Sequence, residues 1–128
     1  MSAKLTLIAT SAAPKAIGPY SQGVASETLV FVSGQIPLDP ASGELVGPDF
    51  GSQAERALAN MTAVVTAAGL DLSQVIKVNV YLTDLARFGE FNEIYARRFG
   101  EHRPARAVVG VAALPRGAQV EVEAIVVR

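Results

Sequence analysis

The chain has 128 residues, half of them apolar and only 18% charged, with a net charge of −1. That length fits one domain with a real core, and the near-zero charge offers no basic field to nucleic acid. Absent cysteine excludes a disulfide framework, a thiol nucleophile and a thiolate metal site, and a single histidine, His102, excludes a His-based metal cluster or a two-His catalytic pair.

No apolar run approaches the roughly 18 residues of a membrane span. Met1-Ser2-Ala3-Lys4 has one basic residue and no long apolar segment behind it, so no secretory leader is read and a cytoplasmic protein is expected. No repeat, low-complexity tract or linker divides the chain, so residues 1–128 read as a single domain.

Lys4 to Ala9 alternates well enough for a short strand. Ser11 to Lys15 contains Pro14 and reads as a loop. In Ile17-Gly18-Pro19-Tyr20-Ser21-Gln22-Gly23 the Gly-Pro pair cannot continue a helix, and Pro19 fixes φ just ahead of Tyr20. Tyr20 is therefore constrained, either as a partly buried anchor ring or as a binding residue. Another short strand fits around Gly23-Val24-Ala25. Thr28 to Ser33 is β-branched and aromatic, which makes a strand. It runs into Gly34-Gln35-Ile36-Pro37, and a glycine there marks close approach by a ligand or another backbone. Asp39 to Gly43 is turn chemistry.

Asp49 caps a helix that starts near Phe50 and runs to Ala68. Ala54, Leu58, Met61, Val65 and Ala68 form its apolar face, and Gly69 stops it. Ser73 to Leu82 reads as a strand with Val78, Val80 and Leu82 on one face and Lys77, Asn79 and Tyr81 on the other. Asp84 caps a second helix whose stripe is Leu85, Phe88, Phe91 and Tyr95, ended by Gly100. Asn92 sits beside that stripe, where a solvated helix residue is the plain reading.

The last quarter reads as two strands, Arg106 to Val111 and Val120 to Val127. Leu114-Pro115-Arg116-Gly117 supplies turn residues between them, so a hairpin is expected. On the second strand Val120, Val122, Ala124 and Val126 share one apolar face, while the other carries Glu121, Glu123, Ile125 and Val127. With Arg106 on an adjacent strand, a guanidinium and a carboxylate would line one cleft. The alternative is a plain cross-strand Arg–Glu pair, worth under about 1 kcal/mol if exposed. Two helices cover one face of such a sheet. The other face is partly apolar and needs a cover, for which another copy of the chain is the simplest candidate, with a site at the subunit junction. The low charge fraction points the same way.

Taken together, Ile17-Gly18-Pro19-Tyr20-Ser21-Gln22, Ser33-Gly34-Gln35-Ile36-Pro37, Ala67-Ala68-Gly69-Leu70, Val80-Tyr81-Leu82-Thr83-Asp84, Pro104-Ala105-Arg106 and Val120-Glu121-Val122-Glu123-Ala124-Ile125 resemble the RidA family, also called YjgF or the reactive-intermediate deaminases. The likeness covers nearly the whole chain. It implies a chorismate-mutase-like α+β domain with a mixed sheet of about six strands and two helices on one face. It also implies a homotrimer with ligand sites at its subunit interfaces. The implied activity is hydrolysis of reactive enamines and imines, such as 2-aminoacrylate or 2-iminopropionate, to 2-oxo acids and ammonia, with no cofactor and no metal. The partners are further copies of the chain and a small imino or 2-oxo acid, with no membrane and no nucleic acid. By the same resemblance Arg106 binds the substrate carboxylate and Glu121 handles a proton or water, with Glu123 as the alternative acid. Tyr20, Ser33, Gly34 and Asn92 shape the binding site. Val108 stands where many members have cysteine, and Arg103 where the best-studied bacterial members have an aromatic residue. Two other readings of the same pocket remain: a non-catalytic module that binds small carboxylates, and an endoribonuclease, against which the charge and the single histidine argue.

Overall fold

Asp49 accepts a hydrogen bond from the backbone N–H of Ser52 and starts helix α1, Phe50–Ala67. Its buried face includes the expected Ala54, Leu58, Met61 and Val65, widened by Phe50, Ala57 and Val64. Ala68 caps the helix and is only partly buried, and Gly69 takes the left-handed φ of 80° that a side chain would resist. The described residues are 4–128 of the computed structural model, so the reading of Met1-Ser2-Ala3 as no leader lies outside them. Among the described residues no helix is long and apolar enough to cross a membrane.

Six strands form one mixed sheet: β1 Thr6–Ile8, β2 Gly23–Ala25, β3 Leu29–Gln35, β4 Val75–Leu82, β5 Ala105–Gly110 and β6 Val120–Val127, in the order β1-β2-β3-β6-β4-β5. Helices α1 and α2, the latter Phe88–Phe99, pack on one face. The core between helices and sheet joins Val30 and Val32 of β3, Val75, Val78, Val80 and Leu82 of β4, and Val120, Val122, Ala124 and Val126 of β6 to the helix faces. This is the α+β architecture expected, with the predicted alternation along β4 and β6.

The expected hairpin of the last two strands is not formed. β5 runs parallel to β4, and β6 inserts antiparallel between β3 and β4. Two parallel neighbours need a long crossover, and α2 supplies it by laying Phe91, Tyr95 and Phe99 on the sheet. The segment after Gly110, with Arg116 at φ 62°, is long enough to pass the end of β4 rather than turn tightly.

Two smaller expectations also change. Asp71 caps a single 3-10 turn, Leu72–Gln74, so β4 begins at Val75 rather than Ser73. Asp84 caps another such turn, Leu85–Arg87, and α2 proper starts one turn later behind Arg87. That offset rotates Leu85 and Phe88 out of the core, and both are exposed; Ile94 and Phe99 complete the stripe instead.

The face of the sheet away from the helices carries Leu7, Val24, Phe31, Ile125 and Lys77 in one cross-strand row. Leu7 is 67% and Phe31 50% exposed. Among the described residues nothing covers Leu7 and Phe31 of this row.

Candidate functional site

The predicted site residues fall into two clefts on opposite sides of the sheet. Arg106 lies in register with Val78, which faces the helices. Glu121 lies in register with Tyr81, which alternates away from the buried Val80 and Leu82. The guanidinium and the carboxylate therefore project from opposite faces, with β4 between their strands. The expectation that adjacent strands bring them into one cleft within a chain fails, because the pairing of β5 with β4 replaces the hairpin. The plain Arg106–Glu pair fails for the same reason, since among the described residues Arg106 makes no ion pair.

The first cleft, about 360 Å³, is lined by Asn92, Tyr95, Ala96, Arg103, Pro104 and Arg106. The Arg106 guanidinium lies over the Tyr95 ring at 4.7 Å from its centroid and 5.7 Å from that of Phe88. Such stacking holds the planar fork without neutralising it. Asn92 and Tyr95 are one turn apart on α2. The Asn92 Oδ1 and the Tyr95 hydroxyl are both buried and without a hydrogen-bond partner. Among the described residues the other buried polar side chains are satisfied. Gln22 latches the 10–14 loop through Thr10, Ala13 and Pro14. Asn60 donates to the carbonyls of Ile36 and Leu38, and Gln53 accepts from the Gln119 N–H. Orphaned polar atoms cost stability, and their concentration beside Arg106 makes this cleft a candidate site. Burial pushes the Tyr95 hydroxyl above its ordinary pKa, while Arg106 and Arg103 pull it down. Asn92 is thus not the solvated residue its helix position suggested, and Tyr95, which the apolar-stripe reading assigned to the core alone, also lines this cleft.

The second cleft, about 450 Å³, gathers Tyr20, Ser33, Gly34, Glu121 and Glu123 with Ile17, Ile36 and Pro115. Its floor is a bulge: between Val32 and Gln35, β3 spends an extra residue against β6. Gly34 sits in that bulge. A Cβ there would come within 2.1 Å of a Glu121 carboxylate oxygen, so the missing side chain is the space that the carboxylate fills. The Ser33 hydroxyl donates to the Ser21 carbonyl at 2.5 Å and ties the bulge to the Tyr20 loop. Tyr20 is 47% exposed and lines this cleft. Its hydroxyl accepts weakly from the Ile17 N–H at 3.4 Å.

The two acids on this face are not equivalent. Glu123 accepts from the Tyr81 hydroxyl at 2.9 Å and from Asn79 at 3.1 Å. Glu121 is half-buried, and burial first, then the charge of Glu123, raises its pKa above the usual carboxylate range. Glu123 is held in place, whereas Glu121 is left able to take and release a proton. Among the described residues no three His, Asp or Glu side chains gather as metal ligands. A larger cleft of about 760 Å³ between α1 and α2 contains none of the predicted residues, and Glu55 there pairs with Arg97 and Arg98.

The model of one protein family, described as endoribonuclease L-PSP, matches residues 10–128. Protein DfrA of Myxococcus xanthus is 54% identical over 117 residues, 90% of this chain and 89% of the relative. The mouse protein named 2-iminobutanoate/2-iminopropanoate deaminase is 48% identical over 122 residues, 95% of this chain and 90% of its own. The crystal structure of E. coli TdcF with bound serine superposes with a TM-score of 0.92 at 47% identity, covering 96% of this chain and 98% of that one.

Proposed function

This chain belongs to the endoribonuclease L-PSP family, the YjgF/RidA family, and from that premise we propose that it is a hydrolytic deaminase of 2-imino acids whose site is completed between copies of the chain. The observation that carries the reading is the division of one chemistry over two clefts. One holds an unpaired arginine with orphaned polar groups, and the other a half-buried glutamate with a raised pKa. Neither is sufficient alone. The exposed apolar row of the open face gives a second copy a surface to cover, and a closed ring of three would join each Arg106 cleft to a neighbour's Glu121 cleft.

In the joined site the Arg106 fork holds the substrate carboxylate by two parallel hydrogen bonds. Asn92 and Tyr95 supply further polar contacts. Water adds to the C=N carbon of the imine in its protonated, iminium form, and one water proton passes to the Glu121 carboxylate, leaving a neutral carbinolamine. Glu121 then returns that proton to the nitrogen, and as the C–N bond breaks the carbinolamine hydroxyl proton passes back through Glu121 to the departing ammonia, giving ammonium and the 2-oxo acid. One water is consumed, no electron is transferred, and no metal or organic cofactor is required. The intrinsic barrier of imine hydrolysis is modest, so positioning and proton handling suffice. Relatives named 2-iminobutanoate/2-iminopropanoate deaminase support the reaction class, and serine bound to TdcF supports a site for small amino-acid-like carboxylates.

The test is release of 2-oxo acid and ammonia from imines generated in place by an amino-acid oxidase, with semicarbazide trapping the imine that escapes. Accelerated release is expected. Tight binding of 2-oxo acids without any acceleration would make the protein a carboxylate-binding module instead.

A further inference from the structure

The Arg106 cleft contains a second guanidinium. Its lining is Asn92, Tyr95, Ala96, Arg103, Pro104 and Arg106, two arginines and no acid. Among the described residues neither Arg103 nor Arg106 makes an ion pair, while Arg87, Arg97 and Arg98 on the adjoining helical segment each find a carboxylate. One Arg103 nitrogen, Nη1, donates to the carbonyls of Gly100 and His102. Carbonyl acceptors orient the group but leave its charge intact, and a guanidinium has five N–H donors, so its other edge keeps donors to offer.

The segment that holds Arg103 is fixed on both sides. Gly100 ends α2 at φ 65°, the His102 ring bonds the Val75 carbonyl at 2.7 Å, and Pro104 leads into β5. A cation on a braced segment is preorganised for an anion and loses little entropy on binding it. Two cations lining one small cleft repel each other until a dianion occupies it. A dicarboxylate engages both guanidinium groups of this cleft at once, whereas a monocarboxylate engages only one of them.

We propose that Arg103 binds a second carboxylate of the substrate, making the preferred substrates imines of dicarboxylic amino acids, with the 2-carboxylate on Arg106 and the side-chain carboxylate on Arg103. This rests on the deaminase reading above. It assigns Arg103 a specificity role in addition to that reaction.

The experiment compares imines generated by oxidase from glutamate and from 2-aminobutanoate, using the wild type and Arg103→Gln. In parallel, binding of 2-oxoglutarate and 2-oxobutanoate is measured by calorimetry. The wild type should favour the dicarboxylic imine in kcat/KM, and Arg103→Gln should lower that preference roughly tenfold, about 1.4 kcal/mol. Hydrolysis of the monocarboxylic imine should change less than about threefold. The 2-oxoglutarate affinity should fall with the same substitution. An unaltered ratio of the two imines in Arg103→Gln overturns the inference while leaving the deaminase reading intact. Absence of any imine hydrolysis, with 2-oxoglutarate still bound through Arg103, sinks the deaminase reading and supports the dicarboxylate site.

Discussion

The two clefts of one chain are opposites. The Arg106 cleft lies on the helix side, is cationic, and holds two buried polar atoms with no partner. The Glu121 cleft lies on the open side, is acidic, and has its polar groups tied down by Ser21, Asn79 and Tyr81, apart from Glu121 itself. A carboxylate-binding fork without a proton carrier is only a binding pocket, and a proton carrier without a fork lacks a grip on its substrate. On the proposed reading, the contrast means a functional unit larger than the folded unit. The chain satisfies its own core and leaves two complementary halves at its surface.

Breaking the cationic half should have the largest effect. Arg106→Ala removes the charge-assisted grip on the substrate carboxylate, a loss on the order of 3–5 kcal/mol in a desolvated site, or roughly 100- to 1,000-fold or more in kcat/KM. Mass by light scattering should not change, because the surface proposed for a second copy to cover is the exposed apolar row with Leu7 and Phe31, which Arg106→Ala leaves untouched. Arg106→Lys should recover only part of the activity, because an ammonium cannot match both carboxylate oxygens.

Breaking the acidic half should appear in turnover rather than affinity. Glu121→Gln keeps the shape and removes the proton carrier, which lowers kcat by roughly 100-fold; equal loss in KM and kcat would contradict the role. The same variant sharpens the electrostatic difference. Folding raises the Glu121 pKa above its ordinary 4.5, so the native state binds more protons than the unfolded chain between those two values. Stability should therefore decline as pH rises from about 4.5 through the raised pKa, and Glu121→Gln should show a shallower decline in a urea titration series.

A smaller effect is expected at the bulge. Gly34→Ala places a methyl where the Glu121 carboxylate lies. The carboxylate is the end of a flexible side chain and can swing aside, so stability should change by less than about 1 kcal/mol. The displaced acid should lose roughly tenfold in kcat, about 1.4 kcal/mol. A melting temperature that collapses with Gly34→Ala would show that the glycine serves the fold rather than the site.

Much of this was legible in the sequence wherever the signal was local. Asp49 and Gly69 bracket α1, and strict alternation sorted β6 into a buried and an open face. The hairpin was misread because turn residues at Leu114–Gly117 describe a change of direction, not a partner. Only the fold shows that β6 pairs with β3 and β4. That one error also placed Arg106 and Glu121 together within a chain. The family resemblance placed Tyr20, Ser33, Gly34, Asn92, Arg106 and Glu121 around one pocket, whereas within one chain the first three lie with Glu121 in one cleft and Asn92 lies with Arg106 in the other. Tyr95 was hidden because its ring satisfies the apolar period while its hydroxyl stays unpaired. Glu121 and Glu123 share the parity of β6, so only their neighbours in space tell the free acid from the held one.

If Arg106 of one copy works with Glu121 of another, two inactive variants restore activity when mixed. Arg106→Ala and Glu121→Gln proteins are denatured together in equal amounts, refolded, and assayed for imine hydrolysis beside each variant alone. Random assembly pairs an intact Arg106 cleft with an intact Glu121 cleft at about one junction in four in a ring with one site per junction. Two proteins that are each nearly inactive should therefore recover about a quarter of wild-type activity together. Activity in the mixture no higher than the mean of the two separate variants would contradict it, because Arg106 and Glu121 would then have to act within one chain.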